Sequence, residues 1–521
     1  MRKKLLIALM AGALAVSALA GCSNSSKTTD SVKSTVDTNL SEGEKTDEDN
    51  AVKSSDVLKD GKNDVLTIVF PGNSSAPASL EQVEAAITEI AQETMDCTVK
   101  INIFEWGVFE EQSNLILSSG EDVDLLFKWN NTAKQAGNSG QVIDISGLVP
   151  VYARETNDLM GKYIEGCYVG DALYGIPSYH EFATRAGLIC STELLEKLEI
   201  NADDIKTWDD VDEVLAKAKE AFPDKDVLVP AEAMAGMLNH YNDGVFDAVQ
   251  NAMVGIYTDG RDGLTAHNIY ATDEFKEAAE RAYAWNQKGY FIADSTTITD
   301  TRQTFLRAGS CFGYIGIVHP GTKTQESINA GADVSVIPIT KQGSGTSNIA
   351  SGQFVIPTGS PTPEKAVALL NLICSNADVQ NLLHYGIEGV DYEVKAEGVA
   401  GYPNGIDASN VGWTNETWLT GNASIGLAWE TDPVDVWEQY NKYNSEANFA
   451  PSYGFAFDSG NVKNEITAVQ NVLDKYTAMI YSGMADPAES IPAFLGELDS
   501  AGMQKIVDEV QAQLDAWSKA Q

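Results

Sequence analysis

The chain has 521 residues, with 75 Asp and Glu against 35 Lys and Arg, and a formal net charge of -40. So acidic a surface repels phosphate backbones, which excludes nucleic acid as a partner and favours neutral or cationic ligands over strongly anionic ones. The length leaves room for two or more domains with ample core. Six scattered cysteines include no C-x-x-C, and five histidines form no H-E-x-x-H, so neither a metal nor a cofactor is expected.

In chain order, Arg2, Lys3 and Lys4 precede an apolar run from Leu5 to Ala20, closed by Leu19-Ala20-Gly21-Cys22. The run has the length of a signal-peptide core and is short for a membrane span. Its end resembles the lipobox of bacterial lipoproteins. That resemblance implies a signal peptide over 1–21, acylation of Cys22, and a chain held on the outer face of a membrane by lipid. Residues 22–62 are rich in Ser, Thr, Asp, Glu and Lys and nearly free of aromatics, so they read as a flexible tether.

A folded body follows over 63–521. Val65 to Phe70 reads as a buried strand and Pro71 to Ser75 as a loop. Ser79 with Gln82 makes a capping-box start for a helix through Val83, Ile87 and Ile90. Val99, Ile101 and Ile103 alternate as a second strand, Phe109 to Leu117 is helical, and Asp124 to Phe127 is a third strand. This alternation predicts a parallel α/β sheet, whose ligands sit at the carboxyl ends of its strands. A polar break, Ser178-Tyr179-His180-Glu181, between two strand-like runs predicts a crossing between two bodies. A second α/β section contains a capped helix from Thr207 and Asp210, another from Thr272, and strands near 311–317, 334–338 and 354–357. Pro363 opens a further helix. The tail clusters Trp413, Trp418, Trp429 and Trp437, and ends in an amphipathic helix through Met503, Val510 and Trp517.

Flat aromatic faces edged by planar polar groups suit a sugar, which has apolar C–H faces and a rim of hydroxyls. The strand-end loops supply both. Trp129 with Asn130 and Asn131, Glu105 with Trp106, and Asn73 with Ser74 are the first candidates. Each has a packing or capping alternative. Tyr179, His180 and Glu181 stand at the crossing. Tyr241, Tyr314 and His319 are second-body candidates, and Trp413 and Trp418 bracket Asn415 in the tail. Arg185 is expected to bridge surface acids rather than meet a ligand. No motif places a catalytic acid pair, a G-x-S-x-G or a P-loop, so no catalytic residue is named.

Taken together, the chain resembles the extracellular solute-binding lipoproteins of ABC importers, in particular the carbohydrate-binding family that includes maltose-binding protein. The matching stretches are Leu19 to Cys22, Gly120 to Leu126, Tyr174-Gly175-Ile176-Pro177, Thr207-Trp208-Asp209-Asp210, and Ala308-Gly309 with Phe312-Gly313-Tyr314. Gly386 to Gly389, Gly421-Asn422, Gly454 to Asp458 and Gln513 to Trp517 are similar to a C-terminal domain of one Gram-positive lipoprotein branch. The resemblance implies a periplasmic-binding-protein-like α/β fold. Two lobes would be joined by a hinge, about 63–178 with 348–390 and about 179–347 with 391–521, with a helical C-terminal extension. It also implies a monomeric, non-enzymatic protein that closes on an oligosaccharide and presents it to a permease. A peptide- or amino-acid-binding lipoprotein is the alternative, followed by a surface glycosidase.

Overall fold

The computed structural model describes residues 57–232, 236–349 and 351–520, all within one compact unit, Glu48–Gln521. The expected signal peptide, Cys22 and most of the expected tether lie outside the described residues. The tether's last residues, 57–62, do not behave as the sequence suggests. Leu58 packs on the first core. The buried Lys365 ammonium binds Asp60 at 2.9 Å, Asp64 at 2.7 Å, and the carbonyls of Lys62 and Asp96. A buried charge must collect such partners, so this segment belongs to the body.

The first sheet has the strand order Cys97–Glu105, Asp64–Gly72, Leu125–Trp129, Gly352–Val355, Ile176–Pro177. The first three are parallel, and Gly352–Val355 runs antiparallel to both of its neighbours. The helices Leu80–Thr94 and Trp106–Ser119 cover it, burying Val83 and Ile87 from one and Phe109 and Ile116 from the other. The Ser79 hydroxyl donates to Asp391 at 2.9 Å instead of closing the predicted capping box. Lys128, fully buried in the Leu125–Trp129 strand, donates to Glu110, Ser113 and Asn114 of the Trp106–Ser119 helix. That network ties a strand end to the middle of a helix.

The second sheet has the order Val334–Pro338, Ala186–Ser191, Cys311–Ile317, Asp226–Leu228. Ala186–Ser191 is antiparallel to both neighbours, so only part of this sheet is parallel. Gly187 is needed in its strand, because a Cβ there would collide with the Ile337 carbonyl oxygen. The predicted capping box at Thr207 and Asp210 opens the Trp208–Ala221 helix. A third core joins Val254, Phe275, Phe494 and Leu514, so the C-terminal helices Lys463–Tyr481, Pro487–Ala501 and Met503–Ala520 pack on the second lobe.

The crossing is laced by the Val436–Ser445 helix. Asn444, fully buried, accepts from the Phe182 N–H at 2.7 Å and donates to the His180 carbonyl at 2.8 Å. The Tyr179 hydroxyl donates to Asn441 at 2.8 Å. One expected boundary moves. Trp413 and Leu419 belong to the first core, whereas the sequence assigned residues from 391 onward to the second lobe. The tail reaches the first core beside the Ala377–Tyr385 helix, where the Trp413 indole N–H meets the Leu383 carbonyl. The five described cysteines, Cys97, Cys167, Cys190, Cys311 and Cys374, are buried and free. Among the described residues, no helix is long and apolar enough to cross a membrane.

Candidate functional site

The carboxyl ends of the three parallel strands converge. Asn73 follows Asp64–Gly72, Trp106 follows Cys97–Glu105, and Trp129 closes Leu125–Trp129. The Trp106 indole N–H donates to Asn73 at 3.1 Å. Trp418, arriving from the tail, completes a trio. Ring centroids are 6.5 Å apart for Trp106 and Trp129, 6.0 Å for Trp106 and Trp418, and 6.2 Å for Trp129 and Trp418. Their planes differ by 27° to 30°, so the indoles gather as an aromatic shelf of near-parallel rings. Phe127 props Trp129 edge-on at 5.0 Å. Trp106 stays 37% exposed, although burial of so large an apolar ring is worth a few kcal/mol. An exposed ring beside two half-buried ones makes this cluster a candidate binding surface.

Beside the shelf lies a cavity of about 460 Å³. Its aromatic walls are Trp418, Trp429, Trp437, Tyr385 and Tyr440, and its polar ones include Asn415, Glu416, Glu181, His180 and His319. It is bounded by first-lobe, crossing and second-lobe residues together. Burial pushes the Glu416 carboxyl up, and a hydrogen bond from Trp418 opposes that only in part. Glu181 behaves differently. Burial would raise its carboxyl, but His319 and His180, each 3.7 Å from one of its oxygens, hold it down at about 2.

A second, polar chamber of about 330 Å³ shares His180, Glu181 and His319 with the first. Arg302 pairs there with Glu326 at 2.8 Å. Burial opposes charge on His240, but Asp243 at 2.8 Å and Glu232 at 3.4 Å hold its imidazole charged, its pKa pushed up to about 10. The Tyr314 hydroxyl is buried on this wall without a hydrogen-bond partner.

The structure separates the sequence candidates. Asn73, Trp106, Trp129 and Trp418 come together. His180, Glu181 and His319 meet at the junction of the two cavities, and Tyr314 lines the polar one. Glu105 is exposed at the head of the Trp106–Ser119 helix and makes no side-chain cap. The Ser74 hydroxyl accepts from the Ala76 N–H at 3.3 Å, which shapes the turn. Asn130 and Asn131 open the Asn130–Asn138 helix where a loop was expected. Three candidates are packing residues. Tyr179 is buried in the first core. Tyr241 stacks on Trp208 at 4.2 Å and donates to Glu277 at 2.8 Å. Trp413 is buried, with its indole N–H on the Leu383 carbonyl at 3.0 Å. Sequence reasoning did not name Tyr385, Glu416, Trp429, Trp437 or Tyr440 as site residues. The tryptophan-rich tail was the available signal, but nothing local showed which rings face the cavity.

A family model described as bacterial extracellular solute-binding protein matches residues 77–380. Another, described as a domain of unknown function (DUF3502), matches residues 451–519, the region of the C-terminal helices. A carbohydrate ABC transporter substrate-binding protein of Streptococcus pneumoniae serotype 4 is 28% identical over 453 residues, spanning 85% of this chain and 89% of its own. The N-glycan transport solute binding protein (NgtS) of Streptococcus pneumoniae matches with a TM-score of 0.77 at 25% identity, covering 88% of this chain and 99% of that one. An extracellular solute-binding protein from Bifidobacterium longum subsp. infantis shares the fold, with a TM-score of 0.63 at 15% identity over 88% of this chain and 99% of its own. With more than half of its length matched by the family model, the chain belongs to the bacterial extracellular solute-binding proteins.

Proposed function

We propose that this protein captures an oligosaccharide between its lobes, outside the cytoplasm, and delivers it to the permease of an ABC importer. The observation that carries the reading is the indole shelf of Trp106, Trp129 and Trp418 beside an aromatic cavity edged by Asn415, Glu416 and Glu181. Stacked indoles offer flat apolar faces to sugar C–H groups, and the amide and carboxylates accept from hydroxyls. The relatives support it. NgtS has been crystallised with Man1GlcNAc and with Man5GlcNAc.

The steps need no covalent chemistry. The glycan docks on the first-lobe shelf. The crossing segments flex, and the second lobe brings His319 and its neighbours against the exposed side of the sugar. The closed form is what the permease engages. Acylation of Cys22 would keep the carrier beside that permease, and a Cys22→Ala variant is expected to leave the membrane fraction.

A thermal-melting screen tests the reading with neutral oligosaccharides, peptides and amino acids. A ligand at about a hundred times its Kd adds about 2.7 kcal/mol, visible as a raised melting temperature. A rise with neutral oligosaccharides, without products by chromatography, supports it. A rise with peptides alone overturns the sugar assignment, and sugar hydrolysis overturns the carrier role.

A further inference from the structure

A third space opens from the same junction. It is a groove of about 910 Å³ between the Thr322–Ala330 helix, the Val334–Pro338 strand and residues 431–439. It is about twice the size of the aromatic cavity, at about 460 Å³. His319, Gly321, Thr324, Ile328 and Asp432 line both, so the two spaces adjoin.

Arg185 lines this groove, and it does not bridge surface acids as the sequence suggests. Among the described residues it forms no ion pair. Its Nε is buried without a hydrogen-bond partner, and its guanidinium carbon lies 5.2 Å from the Tyr443 ring centroid. With 75 acidic residues in the chain, a guanidinium held over a ring and away from all of them leaves its donors for something else. On the same groove, Asp432 has a buried Oδ1 without a partner. The groove's other charges, Lys323 and Asp333, face each other at 3.4 Å. Unsatisfied buried donors and acceptors cost free energy. A sugar hydroxyl both donates and accepts, so one ligand class suits both Arg185 and Asp432. A lone carboxylate ligand would suit the first and be repelled by the second.

We propose that this groove is a second saccharide subsite, in which Arg185 donates to, and Asp432 accepts from, hydroxyls of neutral sugar units running on from the aromatic cavity. The substrate is then a glycan longer or more branched than the aromatic cavity alone receives. The inference rests on the oligosaccharide reading above.

Calorimetric titration of the full chain with neutral manno- and gluco-oligosaccharides, linear and branched, from disaccharide to hexasaccharide, tests it. Affinity is expected to climb with size. Arg185→Gln is expected to weaken the largest ligands by about tenfold or more, the worth of a charge-assisted hydrogen bond, while disaccharides stay within about twofold. Gln439→Trp, which fills the groove without touching the aromatic cavity, is expected to give the same size-selective loss and guards against misfolding of the first variant. Affinity independent of size in the unaltered chain, or no size-selective loss in either variant, overturns the subsite and leaves the oligosaccharide reading standing. Failure of every sugar to bind the unaltered chain overturns both.

Discussion

Two tryptophans five positions apart do opposite work. Trp418 stands in the shelf and Trp413 in the core. Trp418→Ala is therefore expected to weaken oligosaccharide binding by about tenfold or more, at the scale of a lost aromatic contact, with a small change in melting temperature. Trp413→Ala is expected to cost about 3–5 kcal/mol of stability, because it leaves a large cavity in the core. Binding isotherms and denaturant melts of the two variants check the contrast. His384 carries a pH signature. It is buried, and burial pulls its pKa down to about 4, with only the Thr420 carbonyl opposing. The unfolded chain binds a proton between about pH 6.5 and 4 that the folded chain refuses. Its contribution is thus intact above about pH 6.5 and falls by about 3 kcal/mol as the pH drops to 4. Denaturant melts across that window are expected to show a shallower acid loss in His384→Gln than in the unaltered chain.

At the level of elements, the shelf depends on how the Leu125–Trp129 strand meets the Trp106–Ser119 helix. Lys128 is the tie, with its ammonium on Glu110 at 2.8 Å, Ser113 at 2.9 Å and Asn114 at 3.1 Å. Replacing both members of a buried ion pair by apolar side chains is often neutral for stability, whereas removing one is costly when its partner stays buried. Glu110 is partly exposed and can turn to water. Lys128→Met is accordingly expected to leave the melting temperature nearly unchanged and still shift the tryptophan fluorescence and weaken sugar binding, because Trp106 and Trp129 lose their register. Equal fluorescence and affinity in the variant would show that the elements are held by packing alone.

For the molecule as a whole, the crossing decides function. Both cavities meet at His180, Glu181 and His319, which belong to the crossing and to the second lobe. Ligand that binds the closed form better must draw the lobes together. Small-angle scattering is expected to show a smaller radius of gyration with saturating oligosaccharide than without. Asn444 ties the Val436–Ser445 helix to both His180 and Phe182. Asn444→Ala is expected to lower the melting temperature and to weaken ligand-induced compaction, which the same scattering measurement reads.

The order of strands and helices along 64–129, the capped Trp208–Ala221 helix and the terminal amphipathic helix were legible in the chain. Each is a local matter: period two or period 3.6 in apolar residues, and a capping pair three positions apart. So was the gathering of Asn73, Trp106 and Trp129 at the ends of parallel strands, which follows from topology once the alternation is read. The sequence could not tell Trp413 from Trp418, or assign Tyr241 to a stack on Trp208, because burial of an aromatic depends on partners tens to hundreds of residues away. It could not show Arg185 lying over Tyr443 either, since charge pairing is decided by which acids the fold brings within a few ångströms. The sequence by itself determined the elements and the family's architecture. Only the tertiary structure decided which side chains face the cleft, because contact between distant segments is written in the packing of the lobes and not in the spacing of residues.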